Sequence, residues 1–154
     1  MLFRSLGDLL PELSACIDRT GGRKCAIWKY LSSLDKYELM MSEKGFDVSN
    51  AIRAAVLMTV MLDEDGRDGA GRSIMQTMAA SLKIPKATYF TAVLLMESRK
   101  RLAASPRRGK ARFVYNRDFL DALDYNRIIC RALKKDESVL NEWSELYEEK
   151  GNTQ

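Results

Sequence analysis

The sequence predicts an all-α protein, a bundle of about seven helices joined by short loops, and three observations carry that expectation. Apolar residues recur at helical spacing along nearly the whole chain, while period-two alternation is almost missing. Apolar residues make up 46% of the 154 positions, enough for such helices to bury one face each in a common core. Breakers fall at helix-length intervals, at Gly21-Gly22, Gly45, Gly66, Gly69, Pro85 and Pro106.

Leu2, Leu6, Leu9, Leu13 and Ile17 share the face of a first helix, which Gly7 and Pro11 bend or divide. A second helix runs over about residues 23–42 with Ile27, Trp28, Leu31 and Leu34 as its stripe, and Gly45 suits its left-handed cap. Asp47 or Ser49 caps a third helix at about 50–62. That segment is apolar almost all round, as a helix at the centre of a bundle must be. The run Asp63-Glu64-Asp65-Gly66-Arg67-Asp68-Gly69 reads as a polar loop, and a helix at about 72–82 follows it. Ile84-Pro85-Lys86 breaks that helix, because the residue before proline avoids the helical region. The next helix, about 87–103, is expected to bury Phe90, Val93, Leu94 and Leu102, and Ser105-Pro106 stops it. Gly109 gives the following basic linker freedom. Asp118 is placed to cap a helix spaced by Phe119, Ala122, Leu123, Asn126, Ile129, Cys130 and Leu133. A last helix at about 137–149 is spaced by Val139, Trp143, Leu146 and Tyr147, and the tail after it should fray. The expected organisation is one domain over 1–154. Residues 1–104 form the bundle core, and 105–154 supply a basic linker and two helices packed on it.

Composition excludes several chemistries. There is no histidine, which removes His-based general base catalysis, Ser-His and Cys-His nucleophile pairs, and imidazole-ligated zinc. Cys16, Cys25 and Cys130 form no CxxC pair, and their odd number argues against a closed disulfide framework. The early charge in Met1-Leu2-Phe3-Arg4 does not suit a signal peptide. The longest apolar run, 54–62, is far short of the roughly 20 residues that span a bilayer. A cytoplasmic protein without a membrane role is the expectation. Asp63, Asp65 and Asp68 fail the calcium-loop spacing, since Asp68 stands where glycine is needed and Ile74 where the bidentate glutamate belongs. The methionines, Met40, Met41, Met58, Met61, Met75, Met78 and Met96 among them, and both tryptophans read as core.

Charge is where the chain departs from an ordinary bundle. The whole protein carries only +4, yet Arg99, Lys100, Arg101, Arg107, Arg108, Lys110, Arg112 and Arg117 face only Glu97 between positions 96 and 117. The rest of the chain is therefore net acidic. Guanidinium forks pair with phosphate oxygens, glycine lets a backbone come close, and Phe113 and Tyr115 offer faces for unpaired bases. A solvated basic loop beside a helix C-terminus explains the same residues equally well on composition alone, and so far RNA and DNA are equivalent.

The order of short motifs resolves that choice by resemblance. Leu9-Leu10-Pro11-Glu12-Leu13, Leu31-Ser32-Ser33-Leu34-Asp35, Leu82-Lys83-Ile84-Pro85-Lys86, Arg108-Gly109-Lys110, Phe119-Leu120-Asp121-Ala122-Leu123-Asp124, Arg131-Ala132 and Trp143 occur in sequence. In that order they resemble the helical C-terminal region of bacterial poly(A) polymerases, of the class II tRNA nucleotidyltransferase superfamily, over almost the whole chain. Tyr115-Asn116-Arg117-Asp118-Phe119 departs from the family's E-H-P-x-F, and Asp121 replaces a basic position. The resemblance implies a module that holds RNA, as single-stranded 3′ ends or tRNA-like molecules, for nucleotide addition by a head domain. The Gly-Ser strand and Asp-x-Asp carboxylates of that head are not found here. Magnesium and ATP are thus expected only in a head domain, joined or separate, with no catalytic residue and no activity of this chain alone. The implied RNA contacts are Lys83, Lys86, Arg99, Lys100, Arg101, Arg107, Arg108, Lys110, Arg112 and Phe113. The rival expectation is a helical protein-interaction adaptor whose basic loop docks an acidic partner.

Overall fold

The computed structural model describes residues 27–65, 80, 83–106 and 111–152. Among them lie five α-helices, α1 (Ile27–Glu43), α2 (Asn50–Asp65), α3 (Lys86–Leu102), α4 (Phe119–Ala132) and α5 (Ser138–Asn152). A short 3-10 helix, Ala111–Tyr115, precedes α4, and no strand occurs among the described residues. The all-α expectation is met, with five described helices against the seven or so expected. The expected helix at 2–17 and most of that at 72–82 lie outside the described residues, as do Gly21, Gly22, Cys16 and Cys25. None of the described helices is long and apolar enough to cross a membrane.

The turn between α1 and α2 follows from one glycine. Gly45 sits at φ +84°, the left-handed region that glycine enters without a Cβ penalty. Phe46 N–H then reaches back to the Met41 carbonyl at 2.9 Å and closes the end of α1. Ser49 rather than Asp47 caps α2, its Oγ accepting the Ile52 N–H at 3.3 Å. The backbone of α2 continues to Asp65, so Asp63-Glu64-Asp65 is a last helical turn and not the start of a loop.

α2 runs through the middle of the bundle. Ile52, Ala55, Val56, Met58 and Val60 are all fully buried, as its all-round apolarity predicts. It packs chiefly on α3, and α1 packs chiefly on α4, while α1–α2 and α3–α4 contacts close the four-helix arrangement. Alanines at positions 51, 54, 55, 92 and 122 let these helices approach closely. α4 is as deeply buried as α2, with Phe119, Tyr125 and Ile128 removed from solvent. The core therefore extends past residue 104 and takes in α4 as a central element.

α3 is rotated from its expected face. Ala92, Leu95, Ser98 and Leu102 point inward, whereas Phe90 is 63% exposed and Leu94 52% exposed. The inward face carries the small Ala92 and Ser98, and small side chains there let α3 pack closely on α2 and α4, where a phenylalanine face would hold them apart. Four buried polar side chains, Ser33, Thr59, Ser98 and Asn126, are each bonded. Ser33 Oγ donates to the Ile128 carbonyl at 2.7 Å, tying α1 to α4. Asn126 donates to Ser98 Oγ at 3.0 Å and to the Ala122 carbonyl at 2.7 Å, tying α4 to α3. Thr59 donates to the Ala55 carbonyl at 2.7 Å and meets the Tyr125 hydroxyl. Satisfied groups of this kind cost little and select one register between helices.

Asp118 does not cap α4 with its side chain. Instead Asn116 Oδ1 accepts the Asp118 N–H at 2.9 Å, an Asx turn that leads the chain into the helix. Further along α4, the Tyr37 hydroxyl donates to Asp124. Burial pushes the Asp124 carboxyl above its usual range, Tyr37's hydrogen bond pulls it down, and neighbouring Asp121 adds to the rise.

This packing has measurable consequences. Phe119→Ala removes a fully buried ring and should cost about 3–5 kcal/mol in urea unfolding. A raised folded-state pKa at Asp124 means that the folded chain binds the extra proton, so this share of stability is full in acid and is lost as pH rises from about 3.9 through the raised value. Asp124→Asn, which keeps an acceptor for Tyr37, should raise the melting temperature at neutral pH and flatten that part of the pH profile; thermal melts from pH 3 to 8 check it.

Candidate nucleic-acid interface

The last turn of α3 carries Arg99, Lys100 and Arg101, where the helix dipole favours cations. Successive residues turn by about 100° along a helix, so three neighbouring cations cannot share one direction. With Leu102 buried, Lys100 and Arg101 stand exposed. Arg99 is half-buried, near enough to Cys130 to favour its thiolate against the burial and the Glu137 charge that push that thiol up.

The 3-10 helix brings Phe113 back to this end of α3. Val114 is buried beneath it, and Phe113 packs edge-on against Phe119 with ring centroids 5.6 Å apart. The Arg101 guanidinium lies 5.3 Å from the Phe113 ring centre, a cation–π contact of roughly 0.5–1 kcal/mol at an exposed site. From α5, Trp143 packs against Phe119 at 6.2 Å, and its indole N–H donates to the Ala104 carbonyl at 2.9 Å. That bond fixes the chain where it leaves α3.

These residues enclose an open cleft of about 550 Å³. Lys100, Arg101 and Arg112 supply its charge, and Phe113 and Trp143 its aromatic surface, with Ala104 and Ser105 at the exit of α3. Four of the ten residues expected to contact RNA thus line one space. Arg107, Arg108 and Lys110 lie outside the described residues, in the four-residue interval between Pro106 and Ala111. Lys83 and Lys86 are exposed at the other end of α3. Fifteen residues of helix separate Lys86 from Arg101, about 22 Å. They do not share the cleft.

Sequence reasoning missed two participants. Trp143 reads as a core anchor from its spacing, and it is 2% exposed, yet its ring is also part of the cleft wall. Lys150 of α5 sits 4.3 Å from the Tyr115 ring centre, beside a second open cleft of about 710 Å³ that also takes in Arg117 and Tyr147. Tyr147 stacks on Phe119 at 5.4 Å, so both clefts share one aromatic framework. Helical spacing rules would not find the Lys150–Tyr115 pair, because it joins segments about 35 residues apart in the chain.

Among the described residues, no three His, Cys, Asp or Glu side chains gather in a way that could hold a metal ion. The class of protein that fold and site define is an all-α bundle with a cationic, aromatic-walled cleft at one end. No protein-family model, no curated protein and no solved structure matches the chain.

Proposed function

We propose that this chain is an RNA-binding helical module, similar to the C-terminal region of bacterial poly(A) polymerases, that holds RNA while a head domain adds nucleotides to its 3′ end. The observation that supports it is the meeting of Lys100, Arg101, Arg112 and Phe113, drawn from two segments, around one cleft. Cations placed next to the half-buried Phe113 ring match a single strand, whose phosphates and unstacked bases alternate. A duplex would offer phosphates without a free base face. In this reading the charges of Arg107, Arg108 and Lys110 add to the affinity for phosphate, and Lys83 and Lys86 meet only an RNA long enough to run the length of α3. The head domain, covalent or separate, brings the magnesium and ATP, and this chain contributes grip and orientation.

A protein-interaction adaptor is the second reading, and the exposure of Phe90 and Leu94, one turn apart on α3, is the observation that favours it.

Titration of a labelled single-stranded RNA at two salt concentrations separates the two. Three to six neutralised phosphates give a log–log salt slope between about −2 and −4. Arg101→Ala should weaken binding about tenfold and make that slope shallower by about 0.7. Phe113→Ala should weaken binding without changing the slope, since stacking releases no counterion. An adaptor would show no RNA binding by the folded chain, and Phe90→Asp would abolish capture of its protein partner.

A further inference from the structure

A second cationic cleft lies between α1 and the end of α4, away from the basic stretch at 96–117. Lys29, Ser32 and Lys36 follow one another at intervals of three and four residues, so they form a row along one face of α1. Arg131, in the last turn of α4, and Lys134, just beyond it, face that row across a space of about 290 Å³. Among the described residues Lys29, Lys36 and Lys134 have no ion-pair partner. Three like charges around one small space repel each other, and an anion between them relieves that repulsion.

Arg131 is held in position for such an anion. Its Nε bonds Glu137 at 3.2 Å, its Nη1 meets Met40 Sδ at 3.8 Å, and its guanidinium lies 5.3 Å from the Tyr37 ring centre. Tyr37 is buried and its hydroxyl donates to Asp124, so its ring offers no open face for a base.

Lys134 stands at the turn that ends α4. Lys134 adopts φ +55°, at the position after α4 where glycine or asparagine is normal. Its neighbour Lys135 closes the helix by donating to the Cys130 carbonyl at 2.8 Å. A lysine in this conformation is strained relative to glycine, as is Lys83 at φ +52° before α3.

We infer that Lys29, Ser32, Lys36, Arg131 and Lys134 form a binding site for oligophosphate, such as a di- or triphosphate group, distinct from the RNA cleft. Size and lining both select that class. The space suits a chain of phosphates, the donors around it are ammonium, guanidinium and hydroxyl groups, and its described lining offers no open aromatic face to hold a nucleobase. The phosphates could belong to a free oligophosphate or to a nucleoside triphosphate, and both present the same oxygens.

Calorimetric titration of the full chain with sodium tripolyphosphate, ATP and, at matched ionic strength, sulfate tests the site. Tripolyphosphate should bind with one-to-one stoichiometry, and ATP within a few-fold of it. Lys36→Ala and Lys134→Gly should each weaken tripolyphosphate about tenfold. Arg101→Ala, in the other cleft, should leave it unchanged, which separates this site from the RNA reading. Lys134→Gly should also hold or raise the melting temperature, by up to roughly 2–4 °C, because glycine removes the backbone strain. A response to sulfate equal to that for tripolyphosphate, no binding at low salt, or a melting temperature that falls in Lys134→Gly would each overturn the inference. Preference for ATP by tenfold or more would also overturn it, since it would require a base pocket.

Discussion

The indole of Trp143 governs the geometry of the cationic cleft at the end of α3 through one hydrogen bond. The chain leaving α3 presents a backbone carbonyl at Ala104, two residues past the end of the helix, and a buried carbonyl needs a donor. Trp143 is almost fully buried, so its N–H must find an acceptor or incur about 1–3 kcal/mol of desolvation. Each group supplies what the other lacks, at 2.9 Å. Because Trp143 belongs to α5 and its ring packs against Phe119 of α4, the same bond sets where the cationic end of α3 stands relative to both later helices. Arg101 and Phe113 then meet because their backbones have already been placed.

Phe119 is the common floor beneath this arrangement. Phe113, Trp143 and Tyr147 all touch it, one edge-on, one tilted and one stacked. Aromatic rings in such offset geometries add about 0.5–1.5 kcal/mol per pair beyond burial, and they define direction as aliphatic side chains do not. The far end of α4 is built differently. There Arg131 is held by Glu137, Met40 and the face of Tyr37, and charge dominates over apolar area. One helix therefore carries an aromatic-walled cleft at its start and a more polar, cationic one at its end, about 20 Å apart along its axis.

Much of the fold was legible because its signals are local. The buried character of α2, the Gly45 turn and the Ser49 cap follow from residues within a few positions of each other. The face of α3 was not legible. Phe90 and Leu94 obey helical spacing as well as Ala92 and Leu95 do, and only tertiary packing against α2 and α4 decides between them. Asp63 to Asp65 read as loop from composition, yet the backbone of α2 carries them as a further turn. The site divides in the same way. Lys100, Arg101, Arg112 and Phe113 stand out as a basic, aromatic stretch, whereas Trp143 joins them through tertiary packing. Lys83 and Lys86 belong to the expected set by motif, but the length of α3 carries them away from the cleft.

The central claim is that single-stranded RNA occupies the space between Arg101, Phe113 and Trp143. Amide and indole NMR shifts during titration with a short single-stranded RNA test it most directly. The Trp143 indole N–H and the amides of Ala104, Ser105 and Phe113 should move together and saturate at one RNA per chain, with Lys83 and Lys86 unmoved by an RNA too short to reach them. Shifts confined to Lys83 and Lys86, or spread evenly over every exposed lysine, would contradict it.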